Sequence, residues 1–83
     1  MEKNLTYVSA LADELVGALG RKRMTRKDLA DATGLHENTV GRYLLGLRDV
    51  PFTAMALMCD ALGVDVGALN AAARAELAKQ VRD

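Results

Sequence analysis

Several residue types that build specialised sites are scarce in this sequence of 83 residues. The single cysteine, Cys59, excludes an intramolecular disulfide, and its apolar neighbours predict a buried thiol. The single histidine, His36, and the irregular spacing of the carboxylates leave no metal-ligand set and no catalytic constellation. We therefore expect a protein that is not an enzyme and that binds no metal, cofactor or small-molecule ligand.

Long apolar runs are also missing from the sequence. No stretch approaches the ~20 residues that a membrane-spanning helix needs, and the N-terminus lacks the apolar segment of a signal peptide. We therefore expect a cytoplasmic protein with no membrane partner. The seven glycines occur singly, so the sequence contains no glycine-rich phosphate loop.

The formal net charge is +0, which taken alone argues against a nucleic-acid partner. The charges are, however, unevenly distributed along the chain. Between Arg21 and Arg48, seven Lys and Arg stand against three acidic residues, which gives this basic segment a net charge of +4. The remainder has four basic and eight acidic residues and a net charge of −4. The basic segment therefore favours an anionic partner.

Apolar residues recur at helical spacing along almost the whole chain, and no segment alternates as a β-strand does. Because glycine readily adopts the left-handed conformation that closes a helix, helix ends are predicted at Gly20, Gly34, Gly46 and Gly63. N-caps are predicted at Thr25, Thr53 and Asp65, whose side-chain oxygens can accept from the first turn. These signals predict an all-α, compact five-helix bundle that forms one domain over residues 1–83, with helices at about 26–33 and 37–45.

Residues 26–45, RKDLADATGLHENTVGRYLL, have the form of a helix-turn-helix. Ala30 is small where the second helix of the pair must cross closely, and Gly34 permits a positive φ in the turn. The remaining apolar positions of the motif are predicted to point into the core: Leu29, Leu35, Val40 and Tyr43.

Together with its flanks, LGRKRMTRKDLADATGLHENTVGRYLLG and VPFTAMALMCDALGVDVGAL, this motif resembles the phage-repressor and Cro-type helix-turn-helix domains, the XRE or lambda-repressor-like family. The resemblance covers about residues 5–70, and residues 71–83 extend the last helix. It implies a lambda-repressor-like fold whose third helix lies in the DNA major groove. The sequence departs from the family pattern at Arg26, where glutamine is common, at His36, where a small hydroxyl residue usually caps, and at Leu45, where a polar residue is frequent.

The resemblance also implies which residues contact DNA. Base edges would be read by the start of the third helix and one residue a turn later, namely Glu37, Asn38, Thr39 and Arg42. Arginine pairs with guanine, asparagine with adenine, and glutamate accepts from cytosine. The role of Glu37 stays open. It either reads a base or does not, in which case it faces solvent or pairs with Arg42. Phosphates would be bound by Arg21, Lys22, Arg23, Arg26, Lys27 and Arg48.

The last helix has an apolar stripe at four-residue intervals, formed by Leu69, Ala73, Leu77 and Val81. The stripe predicts either docking on the bundle or pairing with a second copy in a homodimer. The function that these patterns favour is a sequence-specific DNA-binding transcriptional regulator, similar to a small phage Cro or repressor protein, with a double-stranded operator as its partner. The alternatives are a DNA-binding antitoxin and a protein-interaction module of the same fold that does not bind DNA.

Overall fold

Five α-helices make up the regular structure of the computed structural model, which describes the backbone of residues 6–82 and the side chains of residues 6–79. They are α1 (Tyr7–Arg21), α2 (Arg26–Thr33), α3 (Glu37–Leu44), α4 (Phe52–Leu62) and α5 (Val66–Arg82). No strand occurs between residues 6 and 82. The predicted all-α five-helix bundle is therefore confirmed, and α2 and α3 form the predicted helix-turn-helix.

Two of the predicted N-caps form as expected. At the start of α2, the Asp28 backbone N–H donates to Thr25 Oγ1 at 3.0 Å, and the Thr25 N–H donates to Asp28 Oδ2 at 2.9 Å. This reciprocal pair is a capping box, which satisfies two backbone donors that the helix itself leaves free. At the start of α5, Asp65 Oδ2 accepts from the Ala68 N–H at 3.0 Å.

The predicted end of the first helix at Gly20 is wrong, because α1 continues to Arg21. The chain turns instead at Arg23, which has φ 56° and is the single non-glycine residue with positive φ among those described. The Met24 N–H donates to the Leu19 carbonyl at 3.1 Å, and both of these side chains pack against the core. This Schellman-type closure, in which the Arg23 N–H also donates to the Gly20 carbonyl at 3.0 Å, places the left-handed residue at Arg23 rather than at Gly20.

The predicted N-cap at Thr53 is also wrong. Helix α4 begins at Phe52, two residues earlier than a cap at Thr53 predicts, and Pro51 is its N-cap without any side-chain hydrogen bond. The Pro51 carbonyl accepts from the Met55 N–H at 2.9 Å and so starts the helical ladder. Thr53 therefore lies inside the first turn, where its hydroxyl has no capping function.

The core lies between the helices and draws on all five of them. Its largest fully buried side chains are Leu15, Leu29, Val40, Met58, Cys59 and Leu62. Among the described side chains no polar or charged residue is buried. Burial raises the pKa of the Cys59 thiol, and the Asp65 carboxylate contributes to the same direction. Cys59 thus acts as a small apolar core residue, as its neighbours predict.

The apolar stripe of α5 packs on the protein's own bundle. Leu69 is 4% exposed and Ala73 is 0% exposed, and Leu77 is partly buried against the same core. The Tyr7 hydroxyl donates to the Asn70 side-chain oxygen and further joins α1 to α5. Leu69 and Ala73 therefore follow the first of the two predicted alternatives, docking on the bundle, and leave little apolar area for a second copy. Leu77 is only partly covered, and pairing of this helix in a homodimer stays a prediction. The fourth predicted member, Val81, has a side chain outside the described residues.

Candidate nucleic-acid interface

The turn between α2 and α3 is closed by side chains as well as by glycine. Gly34 has φ 80°, as predicted for this turn. Thr33 Oγ1 donates to the Leu29 carbonyl at 2.8 Å and accepts from the Leu35 N–H at 3.2 Å. The predicted packing positions are confirmed: Leu29, Ala30, Val40 and Tyr43 are buried, and Leu35 packs against the core. The role of Thr33 is not evident in the sequence. The angle between the two helices is therefore set by a packed, hydrogen-bonded turn.

Helix α3 buries one face and exposes the other. Its N-cap is His36, whose Nδ1 accepts from the Asn38 N–H at 3.3 Å, so that an imidazole takes the place of the usual small hydroxyl. Asn38 and Arg42 are exposed, and Thr39 is partly buried beside them. Residues four apart lie on the same face of a helix, so Asn38 and Arg42 project side by side. The structure thus brings three of the four predicted base-reading residues to one exposed face.

Glu37, the fourth predicted base-reading residue, faces the start of α2. Its Oε2 lies 3.5 Å from Arg26 Nε, and both side chains are about half exposed, at 44% and 51%. Exposed ion pairs of this kind contribute only about 0–1 kcal/mol to stability. The main effect of this pair is therefore to orient the two side chains. The pairing partner is therefore Arg26 on the neighbouring helix, and not Arg42 on the same helix.

The Arg26 side chain continues across α3 and lies over Gly41, which is buried. A Cβ placed on Gly41 would lie 2.8 Å from Arg26 Nη1 and 3.1 Å from Arg26 Cδ. Glycine is therefore the residue that leaves room for this guanidinium. The motif does not predict this contact, although an isolated glycine inside a helix, which costs about 1 kcal/mol relative to alanine, is a signal of such a close approach.

The other predicted phosphate-binding residues are all exposed, and three of them have neighbours within the protein. Lys27 Nζ pairs with Asp31 Oδ2 at 3.1 Å, and this hydrogen bond raises the pKa of Lys27. Lys22 Nζ lies beside Gly63, the C-cap of α4, where the negative end of the helix dipole favours a cation. The Arg21 guanidinium lies over Gly17 of its own helix. Their contacts with phosphate stay predictions.

An apolar surface follows directly after α3. Leu45, Leu47 and Phe52 are 70%, 69% and 75% exposed. Phe52 also lines an open cavity of about 360 Å³ between α1, α4 and α5, together with residues that include Tyr7, Met55 and Val66. The sequence indicates this exposure only at Leu45, where the family frequently has a polar residue, because apolar spacing alone does not tell which residues between and at the ends of two helices are covered.

Two further findings concern possible metal ligands and possible membrane-spanning helices in the described part of the chain. Between residues 6 and 79, no three His, Cys, Asp or Glu side chains are grouped so that they could hold a metal ion. No single described helix is long and apolar enough to cross a membrane, and one bent pair, α4 with part of α5, meets the length and composition criteria together.

Comparison with known families agrees with this geometry. The model of the Cro/C1-type HTH DNA-binding domain matches residues 14–72, which include α2, α3 and α4. The chain therefore belongs to the Cro/C1-type helix-turn-helix DNA-binding domain family. The match confirms the resemblance that the motif and its flanks indicate.

Solved structures with the same fold include two crystal structures of the clp gene regulator ClgR from Corynebacterium glutamicum. One has a TM-score of 0.82 at 23% identity and covers 89% of this chain and 96% of the ClgR chain. The other has a TM-score of 0.85 at 25% identity and covers 93% and 82%. This similarity supports the fold assignment across nearly the whole chain.

The curated relatives that the chain matches in sequence are cyanate hydratases. The protein from Pseudomonas fluorescens is 46% identical over 56 residues, and the protein from Burkholderia cenocepacia is 41% identical over 56 residues. Each match covers 68% of this chain but 36% of the relative. The chain thus spans about a third of the length of these relatives.

Proposed function

We propose that this protein is a sequence-specific DNA-binding transcriptional regulator of the small Cro or repressor kind, which occupies an operator with α3 in the major groove. The observation that supports this most directly is the division of α3 into two faces. Val40 and Tyr43 fix the helix in the core, while Asn38 and Arg42 project from its opposite, exposed face. A recognition helix needs this combination, because base reading requires exposed side chains on a rigid support.

Each exposed residue has a chemically matched partner in the major groove. The Arg42 guanidinium donates two hydrogen bonds to O6 and N7 of guanine, and the Asn38 amide pairs with N6 and N7 of adenine. Thr39 contacts a thymine methyl group or a phosphate from the same face. Glu37 lies beside this face, at the start of α3, and its carboxylate contacts Arg26. We expect Arg42 to make the largest contribution to base discrimination.

The net charge of +4 on residues 21–48 supplies the non-specific part of the affinity. If the six predicted phosphate-binding residues each contact DNA, affinity falls about 10³-fold or more between 50 and 200 mM salt. A homodimer on two half-sites one helical turn apart is part of the proposal, as is a cytoplasmic location. Sedimentation of the protein with operator-length DNA measures the number of copies bound.

Selection of bound sites from random duplex DNA tests the proposal. We expect a consensus of a few defined base pairs, with affinity that declines linearly as log salt increases. Symmetry in that consensus reports a dimer. Measurable binding with no consensus would reduce the function to non-specific DNA association, and no binding at 50 mM salt would contradict DNA recognition altogether.

A second candidate is a protein-interaction module that has kept the fold without DNA binding. The similarity to cyanate hydratases favours it, because those relatives are named as enzymes and not as DNA-binding proteins. The exposed apolar side chains of Leu45, Leu47 and Phe52 are also compatible with a protein partner. The same low-salt binding assay separates the two candidates. An exposed apolar face of the last helix would favour the antitoxin alternative, and burial of Leu69 and Ala73 reduces that support.

A further inference from the structure

Arg26 holds an unusual position, because one side chain from α2 lies along α3 and contacts it at two places. Its Nε lies 3.5 Å from Glu37 Oε2, and its Nη1 and Cδ occupy the space above Gly41. Glu37 and Gly41 are four residues apart on α3, so they form one continuous seat, one turn long, for the guanidinium. An exposed arginine without such a seat samples many rotamers.

This seat determines which donors of Arg26 are free. The guanidinium has five N–H donors in a rigid fork, and the Glu37 carboxylate lies on the Nε side. The two Nη nitrogens therefore retain the planar arrangement that matches phosphate oxygens. Arg26 is also the first residue of α2, where the helix dipole favours an anion.

We propose that Glu37 and Gly41 are positioning residues, which hold the Arg26 guanidinium in place for the phosphate contact that the family resemblance already implies for Arg26. Glu37 then contributes to DNA binding through Arg26 and does not read a base. This inference rests on the proposed DNA-binding function and assigns a role to a glycine that no motif singles out. The same contacts explain how Arg26 is accommodated at a position where the family commonly has glutamine.

The Gly41→Ala variant tests the seat without removing any charge. The added methyl group would meet the far end of the flexible Arg26 side chain, which can swing away, so the fold should be retained. Alanine also favours the helix more than glycine does. We expect an unfolding temperature at or above that of the wild-type protein and an affinity for the selected operator about tenfold lower.

The dependence of affinity on salt shows whether the loss acts through Arg26. Arg26→Ala should lower the slope of log affinity against log salt by about 0.9, which is the contribution of one phosphate contact. Gly41→Ala should lower the slope by a similar amount. In the Arg26→Ala background, Gly41→Ala should have no further effect on affinity or slope. A Gly41→Ala effect of unchanged size in that background would overturn the proposal, because the methyl group would then act independently of Arg26.

The Glu37→Ala variant distinguishes positioning from base reading. If Glu37 acts through Arg26, the consensus selected by the variant matches the wild-type consensus at every position, and the NMR signal of the Arg26 Nε–H shifts in the free protein. Loss of preference at one base pair would instead show direct reading and overturn the proposal. Failure of the wild-type protein to select any consensus would contradict the proposed function itself, whereas normal wild-type selection without coupling between positions 26 and 41 would contradict only this inference.

Discussion

The helix-turn-helix pair, α2 and α3, differs from the scaffold helices α1, α4 and α5 in the charge of its chain segment, although both regions contribute to the core. The pair lies within the basic segment of net charge +4, while the rest of the chain has a net charge of −4. The pair nevertheless contributes Leu29, Val40 and Tyr43 to the core. The core residues and the residues proposed to contact DNA therefore lie on different faces of each short helix, and are not simply divided between the two regions. Single substitutions can test this separation.

The largest expected effect is on stability and lies within α2. Leu29 is 0% exposed, so Leu29→Ala removes buried apolar volume and should lower the free energy of unfolding by about 2–5 kcal/mol. Small domains have only about 5–15 kcal/mol in total, so urea denaturation will show a large shift of the midpoint. The control is Leu47→Ala, because Leu47 is 69% exposed and its truncation should change stability by less than about 0.5 kcal/mol. Equal effects of the two substitutions would contradict the assigned core.

The next effect is on DNA binding alone. Arg42→Ala should weaken binding to the selected operator by about 1–3 kcal/mol and relax the preference at one base pair. Its stability should be unchanged, because the side chain is exposed. The control is Arg74→Ala, which removes the same charge from an exposed position on α5. Titration of DNA at fixed salt compares the two variants, and an unchanged consensus for Arg42→Ala would show that Arg42 does not read a base.

The helix caps provide a comparison between the pair and the scaffold. Thr25→Ala removes the acceptor of the Asp28 N–H at the start of α2 and should lower stability by about 1 kcal/mol. Thr53→Ala, at the start of α4, should leave stability nearly unchanged, because α4 has no side-chain cap hydrogen bond. Thermal unfolding of both variants measures the difference. A larger loss for Thr53→Ala would restore the capping role that the sequence predicts for it.

Arg23 is expected to show opposite effects on stability and on binding. Its φ of 56° is unfavourable for a residue with a Cβ, so Arg23→Gly should raise stability by about 0.5–1 kcal/mol after the greater flexibility of unfolded glycine is included. The same change removes a predicted phosphate contact and should lower the salt slope of DNA binding by about 0.9. Urea denaturation and salt-dependent titration measure the two effects separately. A variant that is less stable than the wild-type protein would contradict the assigned strain.

The smallest expected effect is on the pH dependence of stability and involves Asp28, which forms the capping box of α2 with Thr25. The pKa of Asp28 is below its ordinary value of 3.8, first because the Thr25 backbone N–H donates to its carboxylate and then because of the Thr25 side chain. A lowered pKa in the folded state means that this contribution is present above about pH 4 and is lost as pH falls through the folded-state pKa. In the Asp28→Asn variant, the unfolding temperature should therefore decrease slightly less than in the wild-type protein as the pH falls below about 4. NMR titration of Asp28 tests the direction, and a pKa at or above 3.8 would contradict it.

Sequence patterns predicted features that depend on neighbours along the chain. The capping residues Thr25 and Asp65 and the positive φ of Gly34 are of this kind, because the groups involved lie within a few residues of each other. The predictions at Gly20 and Thr53 were wrong because a local signal competed with a stronger one nearby. The hydrogen bond from the Met24 N–H to the Leu19 carbonyl, with both side chains packed on the core, accompanies the later helix end, and Pro51 is the N-cap at the earlier helix start.

The apolar period, the caps and the spacing of a few small residues are sufficient to predict the five helices, the helix-turn-helix and the family. The contacts of the long side chains become known only once the helices are packed against one another. Arg26 meets Glu37 and Gly41 across two helices, and the α5 stripe at Leu69 and Ala73 is covered by the protein's own bundle. No period or spacing rule connects residues on different helices. Their contacts depend on the distance and angle at which the helices pack, and these are set by the whole core.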